Sequence, residues 1–541
     1  MSRARAIGAV VLVAALGAVQ TLASADGALW PLQMLAIAVL AAFVGRAAPG
    51  RAAVFGEVFG TAWICAGTWW LFISMHRYGG LPAWLAALAV LALAAFLSLY
   101  LAAAMALVAR GLERARSSGD APVSRWRGAT LFAAAWLLAE LARGVIFTGF
   151  PWTATGYGHV DAPLGGLAPW LGVYGIGAVA AGLAAAFGLS DLRRARAWLG
   201  PGAALVVALS AGAALGRVDF TTSAGPLAVS LLQNDVPQQE KFEQALIPEA
   251  LAATMAQLEA ARGALVVGPE TVIPVLPQQL DPDWWRALLA RFQAPGRAAL
   301  VGIPIGNDDA GYTNSAIGLS AASGRLEGGF YRYDKHHLVP FGEFVPTGFH
   351  WFTRLMSIPL GDFNRGPATA PSFDVGAQRV APNICYEDLF GEELAARFVP
   401  AARAPTILAN ISNIGWFGET IAVEQHLRIS RMRTLELQRP MIRATNTGAT
   451  AVIDHRGVVR EALPPFTKGL LEATVDGRDG LTPFAAWAGR LDLWPLWLAG
   501  AALVVMASRR GHGRRHADRQ ADRHADRHAI RQADGRARPR P

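Results

Sequence analysis

Three segments of this sequence end in side chains that can make and break an acyl bond. Val266-Val267-Gly268-Pro269-Glu270 is a β-forming run that stops at a Gly-Pro turn and presents a carboxylate. Tyr331-Arg332-Tyr333-Asp334-Lys335-His336-His337 carries one of only three lysines, Lys241 and Lys468 being the others, while the remaining 46 basic residues are arginine. Keeping a lysine in such a chain points to a need for a compact ammonium instead of a planar fork. Ala381-Pro382-Asn383-Ile384-Cys385-Tyr386-Glu387-Asp388 carries one of the two cysteines. A thiol of ordinary pKa ~8.5 needs a base to become a good nucleophile. A carboxylate can be that base, and an ammonium can hold the oxyanion of a tetrahedral intermediate. Together the three make the chemistry of acyl transfer through a thioester.

Each also has a plainer reading: Glu270 as a turn residue, Lys335 as a solvated loop lysine, Cys385 as an inert buried thiol. Against the last, acidic residues follow Cys385 at once, which suits a strand-end turn better than a core. The other cysteine, Cys65, lies inside an apolar run. Two thiols so far apart make neither a disulfide framework nor a Cys-x-x-Cys metal site, and no metal or cofactor is expected.

The elements that must position these residues begin with a composition foreign to soluble proteins. Of 541 residues 53% are hydrophobic and only 16% charged, against about 25% charged in soluble domains. Apolar windows long enough to cross a hydrocarbon core recur at Ile7–Ala23, Leu29–Val44, Val54–Ser74, Leu81–Ala109, Ala129–Ile146, Pro169–Leu189 and Leu199–Leu215, with an eighth at Leu493–Ala507. The first is read as a retained span, a cleaved signal peptide being the alternative. Arginines crowd the N-terminus, alternate loops and the C-terminal tail, so the positive-inside rule puts both termini in the cytoplasm and the polar stretch 217–490 outside it. The net charge of +9 belongs largely to residues 509–541, where 11 Arg face 4 Asp. This tail reads as a disordered basic segment near anionic lipid heads, with metal binding by His516, His524 and His528 as the sharper alternative, and the basicity gives no ground for a nucleic-acid partner.

Within 217–490, β-rich runs at Leu227–Leu232, Ala264–Val267, Ala299–Ile305, Ser315–Leu319, Arg379–Cys385, Thr406–Ile411, Met441–Ala444 and Ala449–Ile453 alternate in part with helical stretches at Pro248–Ala261, Asp283–Phe292, Glu392–Phe398 and Glu424–Gln438. Strand pairs with no helix between them predict a layered sandwich with some antiparallel pairing. The expected organisation is a seven-span unit over 1–216, a catalytic α/β domain over 217–490, an eighth membrane helix over 491–508 and the tail over 509–541.

Gly268-Pro269-Glu270-Thr271, Lys335-His336-His337-Leu338-Val339-Pro340-Phe341-Gly342-Glu343 and Asn383-Ile384-Cys385-Tyr386-Glu387 resemble, in order and spacing, the Glu, Lys and Cys motifs of the nitrilase superfamily. With eight spans around them, residues 1 to about 508 resemble its membrane-bound branch, the apolipoprotein N-acyltransferase family. Supporting motifs are Gln233-Asn234 with Pro237-Gln238, Gly149-Phe150-Pro151-Trp152, Asn410-Ile411-Ser412-Asn413 with Trp416-Phe417-Gly418, and Arg431-Met432-Arg433-Thr434-Leu435-Glu436 with Arg439-Pro440. Phe242 departs from the usual Trp of that pattern, and Ile414-Gly415 from the usual Asp-Ala or Asp-Gly.

The resemblance implies a nitrilase-like αββα sandwich inserted between spans seven and eight. It implies a two-step reaction in which Cys385 takes the sn-1 acyl group of a phospholipid and passes it to the α-amine of a lipoprotein's diacylglyceryl cysteine. Glu270 is implied as base and Lys335 as oxyanion partner, with Glu343 tuning Lys335, and Tyr386 and Glu387 shaping the thiol's surroundings. Trp152, Phe242, Trp416 and Phe417 are implied to contact substrate. The enzyme would work as a monomer in the bacterial inner membrane with its catalytic domain in the periplasm. Two rivals stand beside this reading: a membrane-anchored amidase using the same three residues on a small soluble substrate, and a transporter or receptor whose soluble domain only binds ligand. Seven spans before the domain favour a lipid substrate over the first, and Glu57, Glu140 and Arg143 are nearly the only intramembrane charges that could serve the second.

Overall fold

The computed structural model describes residues 3–117, 124–191, 193–349 and 362–508. The Arg-rich segment 509–541, with His516, His524 and His528, lies outside the described residues.

The apolar windows are helices: α1 (Arg3–Ala25), α2 (Trp30–Val44), α3 (Pro49–Thr68), α4 (Ala83–Ser117), α5 (Arg125–Val145), α6 (Ala168–Gly188) and α7 (Arg196–Leu215). Six helical segments of the described residues are long and apolar enough to cross a membrane, and eight spans result if each of two bent pairs is one span. The expected third span is one such pair: α3 breaks after Thr68 and the chain resumes at 63° as Leu71–Tyr78. Small residues let these helices close on one another, as lipid-solvated helices require. A Cβ added to Gly56 or Gly60 of α3 would come within 2.8 Å of Leu101 O or Ser98 Oγ of α4.

After α7 the hydrophobic period changes from helical to alternating, and twelve strands follow among the described residues. In chain order they are β1 (Thr221–Gln233), β2 (Leu265–Val267), β3 (Ala298–Asn307), β4 (Gly311–Ser320), β5 (Tyr331–Asp334), β6 (Phe373–Val375), β7 (Gln378–Ile384), β8 (Ile407–Ser412), β9 (Met441–Thr445), β10 (Ala451–Ile453), β11 (Val459–Ala462) and β12 (Gly469–Gly480). They form two six-stranded sheets, ordered β12-β1-β2-β3-β4-β5 and β11-β10-β9-β8-β7-β6. Each sheet has a parallel centre, β1-β2-β3 or β7-β8-β9, flanked by antiparallel strands.

Period-two alternation decides which face each side chain serves. Leu265 and Val267 of β2, Leu300 of β3, and Ile407, Ala409 and Ile411 of β8 meet in the core between the sheets. Val266, Ala299 and Val301 face the other way, onto Leu258 of α8 (Ile247–Ala260) and Leu288 and Phe292 of α9 (Pro282–Phe292). On the far side, Leu408 and Met441 pack with Leu394 of α10 (Gly391–Ala396) and Leu437 of α11 (Ala422–Leu437). The result is an αββα sandwich. α12 (Pro483–Leu491) then meets α13 (Trp494–Ser508) at 92° and returns the chain to the membrane helices.

α11 keys the sandwich to the membrane unit. Gln425 accepts from the indoles of Trp70 (3.1 Å) and Trp152 (2.8 Å), and donates to Ser24 Oγ and Gly67 O, both at 3.1 Å. Arg428 and Arg431 both pair with Asp161, and Glu436 accepts from Val173 N at 2.7 Å.

The expected strand over Arg379–Cys385 ends one residue early, because Cys385 turns out of the extended region to φ 53°. β5, β6, β11 and β12 were not anticipated. β12 is polar and glycine-flanked, and it is a strand because it pairs with β1 along its whole length.

Candidate active site

Parallel sheets gather functional groups at the carboxyl ends of their strands, where the backbone leaves the ladder. Glu270 follows β2, Cys385 follows β7, and Ser412 and Asn413 close β8. Lys335 follows β5, whose antiparallel pairing with β4 brings it beside Asn314: Lys335 N donates to Asn314 O at 2.8 Å.

The side chains converge. Lys335 Nζ is 2.9 Å from Glu343 Oε1 and 3.5 Å from Glu270 Oε1. Glu343 is held in turn by Val339 N, which donates to its Oε2 at 2.8 Å. Asn413 N donates to Glu270 Oε2 at 2.9 Å, so the end of β8 in one sheet grips the carboxylate at the end of β2 in the other. Glu270 is 8% exposed and Lys335 1%. Burial works against the charge on Lys335, but Glu343 and Glu270 outweigh it and hold the ammonium well above the ordinary lysine range.

Cys385 sits in a left-handed conformation that non-glycine residues rarely adopt, and the surroundings brace it. Glu387 Oε2 accepts from Ile384 N (2.6 Å) and Tyr333 OH (2.8 Å), and its Oε1 accepts from His336 N (2.7 Å) and His337 N (3.2 Å). One carboxylate thus ties the cysteine turn to the lysine loop. Burial raises Glu387 above the usual carboxylate range despite these donors. Behind the turn, Cys385 O lies 3.3 Å from Asn410 Nδ2 and 3.2 Å from His426 Nε2. Arg443 donates to His426 Nδ1 at 3.2 Å, which leaves the imidazole proton on Nε2, toward Cys385 O and Asp388 Oδ1.

Burial pushes the Cys385 thiol up to about 12, with Glu270 adding to the rise while Lys335 and the neighbouring Ser412 pull the other way. At neutral pH the resting thiol is therefore protonated, and attack on a carbonyl requires the proton to leave as the bond forms. Glu270 and Glu343 are the carboxylates near enough for their charge to bear on this thiol.

The remaining expected site residues fall around this centre in different ways. Tyr386 is buried and its OH donates to Gly149 O of the membrane unit at 3.0 Å. Trp416 and Phe417 lie in the half-buried turn Ile414–Phe417, where Trp416 meets Tyr78 edge-on (5.8 Å) and Phe417 meets Trp70 (4.2 Å). Trp152 is buried and stacks on His426 at 5.5 Å, one side chain removed from the cysteine turn. Phe242 is 45% exposed. Ile414 packs in the apolar cluster of Tyr386, Leu389 and Trp152, surroundings that suit an aliphatic side chain.

Asn314 and Lys241 had no role assigned from the sequence. Asn314 is an amide in the buried part of β4, and a polar residue in a buried strand register was the available signal. Lys241 was visible only as one of three lysines.

Two family models match the chain: "Apolipoprotein N-acyltransferase N-terminal domain" over residues 16–186 and "Carbon-nitrogen hydrolase" over residues 235–481. Among similar curated proteins, the apolipoprotein N-acyltransferase of Verminephrobacter eiseniae is 51% identical over 493 residues, covering 86% of this chain and 89% of that protein. That of Ralstonia nicotianae is 47% identical over 506 residues, covering 93% of each. That of Bordetella bronchiseptica is 43% identical over 541 aligned positions, covering 93% of this chain and 97% of the relative.

Proposed function

The chain belongs to the apolipoprotein N-acyltransferase family, and we propose that it moves the sn-1 acyl chain of a membrane phospholipid onto the N-terminal amine of diacylglyceryl-modified lipoproteins. In the first half-reaction Cys385 Sγ attacks the ester carbonyl while Glu270 accepts the thiol proton. Lys335, held by Glu343, faces the oxyanion. Collapse breaks the ester bond, Glu270 returns its proton to the departing glycerol oxygen, and lysophospholipid leaves behind a Cys385 thioester. In the second, the lipoprotein α-amine attacks the thioester carbonyl, Glu270 takes an amine proton, and the expelled thiolate is reprotonated as the amide forms.

The observation that carries this reading is the ammonium of Lys335, set between Glu343 at 2.9 Å and Glu270 at 3.5 Å, beside the strained turn of Cys385. Support for lipid substrates comes from the contacts of the Trp416–Phe417 turn with Trp70 and Tyr78, which belong to the bent third span. Under this reading the sandwich lies on the periplasmic face of the inner membrane, its cleft open to the outer leaflet. A hydrolase for small soluble substrates would use the same triad, but no observation favours it over the acyltransferase.

The test is to incubate the purified chain with vesicles of labelled phosphatidylethanolamine, and then add a diacylglyceryl-cysteinyl peptide. A hydroxylamine-sensitive adduct on Cys385 that is discharged to an amide on the peptide is expected. Adduct without discharge to amine, but with release of free fatty acid, would transfer the site to the hydrolase reading.

A further inference from the structure

Lys241 is buried beside the triad and the mechanism above leaves it idle. The turn after β1 directs its side chain inward, with Lys241 N donating to Pro237 O at 3.2 Å, while its neighbour Phe242 is 45% exposed. Lys241 itself is 6% exposed, and its Nζ donates to the main-chain oxygen of Glu270 at 2.8 Å. Among the described residues no carboxylate lies within salt-bridge distance of it.

The choice of residue type is informative because this chain solves its other buried-cation problems with arginine. Arg433 pairs with Glu436 at 3.0 Å, Arg443 with Asp388 at 3.3 Å, and Arg439 donates to the main-chain oxygens of Pro405 and Gly480, both at 2.6 Å. If Lys241 only tied down a carbonyl, a guanidinium would serve as it does at Arg439. Of the three lysines, Lys468 is exposed, and the two that are buried both meet Glu270, Lys241 at its main-chain oxygen and Lys335 at its carboxylate. The charge balance gives the reason. Glu270 and Glu343 share the single ammonium of Lys335, and two carboxylates at one site repel each other unless a second positive charge is near.

We propose that Lys241 is a positioning residue of this active site, fixing the main chain of Glu270 through its hydrogen bond and supplying a second positive charge beside the two carboxylates that share Lys335. It acts through Glu270 and Cys385 and does not itself contact the transferred group. The inference rests on the acyltransferase reading for its assay, though not for its geometry.

Burial lowers Lys241 to about 8, with Glu270 and Cys385 acting to raise it, and this makes the role measurable. Thioester formation from labelled phosphatidylethanolamine would be followed between about pH 6 and 10 for the parent, Lys241→Met and Lys241→Arg. The parent rate should break downward as the pH passes about 8 and the ammonium is lost. Lys241→Met, near-isosteric and neutral, should be slower by about tenfold near neutral pH and show no break. Lys241→Arg should recover only part of the rate, because a planar guanidinium cannot place its charge where Nζ meets Glu270 O, and should lose the break, because it stays charged throughout. A Lys241→Met protein as fast as the parent, or a break that persists in either variant, overturns the proposal. Should neither variant fold, Lys241→Gln, which keeps a donor for Glu270 O without the charge, takes their place, and a rate equal to the parent's overturns the proposal. If the parent takes no acyl group at all, it is the acyltransferase reading that falls. The variants are then compared by alkylation of Cys385 with iodoacetamide, whose rate follows thiol ionisation and should be slower in Lys241→Met than in the parent below about pH 8.

Discussion

Glu270 and Glu343 share one amide: Asn314 Nδ2 lies 2.7 Å from Oε1 of the first and 2.6 Å from Oε1 of the second. Each of its two protons goes to a different carboxylate, and the same two oxygens bracket Lys335. Asn314 therefore sets the spacing between the group proposed as base and the group that holds the proposed oxyanion partner. Hydrogen bonds to charged groups are worth about 1.5–3 kcal/mol, so Asn314→Ala should slow thioester formation by about 10- to 100-fold. Asn314→Asp should be worse, because it swaps a double donor for a third carboxylate. Equal acylation rates in the Asp variant and the parent would show that the shared amide has no such role.

Lys335→Ala should raise the acylation barrier by about 3 kcal/mol, comparable with loss of an oxyanion donor. It also leaves Glu343 and Glu270 without their shared cation. Lys335→Arg should recover only part of the rate, since a planar guanidinium cannot occupy the position of Nζ between the two carboxylates. Single-turnover acylation is the measurement, and a near-normal rate in the Arg variant would refute the point-charge role.

The thiol at about 12 separates Cys385→Ser from Glu270→Gln. A serine hydroxyl is far less acidic still, so Cys385→Ser should lose transfer at every pH although its shape is nearly kept. Glu270→Gln retains the thiol but must wait for spontaneous ionisation, so its slow acylation should climb about tenfold per pH unit and still be rising at about pH 9. Acyl transfer measured across that range, with a folding control, distinguishes them. Substantial turnover by the serine variant would remove Cys385 as nucleophile, and a parental rate in Glu270→Gln would remove Glu270 as base.

Gln425 fills all of its hydrogen-bonding capacity across the junction between α11 and the membrane helices. Gln425→Leu leaves the buried indole N–H of Trp152 without a partner, at a cost of about 1–3 kcal/mol, while Trp70 keeps Gly67 O and Ser24 keeps Thr21 O. The apparent Tm of the detergent-solubilised chain should fall by several degrees. Acylation should fall as well, because Trp152 then loses its anchor beside His426. An unchanged melting profile would mean that the junction tolerates the loss.

Reporter fusions test orientation. A reporter active only outside the cytoplasm should be active in an exposed loop of the sandwich, such as at Asp308, and silent when fused after Ser508. The reverse pattern would invert the proposed topology.

Hydropathy over a window of about 20 residues is a local property. The apolar spans were accordingly legible in the sequence, as were strands such as β8, whose apolar run Ile407-Leu408-Ala409 is buried on both faces. The motifs that singled out Glu270, Lys335, Glu343, Cys385 and Glu387 were legible too, because each is a short contiguous string. What the sequence left open depends on partners far along the chain. β12 has little apolar character of its own, and becomes a strand through pairing with β1, more than 200 residues earlier. The break after Thr68 was not visible in the continuous apolar window Val54–Ser74. Asn314 acquires its place only when two antiparallel pairings bring β4 beside β5 and the end of β2 lies across from it. Lys241 was conspicuous as a lysine, yet no spacing rule could say that its side chain would turn inward to the main chain of Glu270. Sequence by itself determined which segments leave water and which short motifs could carry chemistry, because hydrophobicity and motif identity belong to neighbouring residues. Only the tertiary structure decided which charges meet, because the sharing of Lys335, Asn314 and Lys241 among carboxylates and a thiol is settled by sheet pairing between residues distant in the chain.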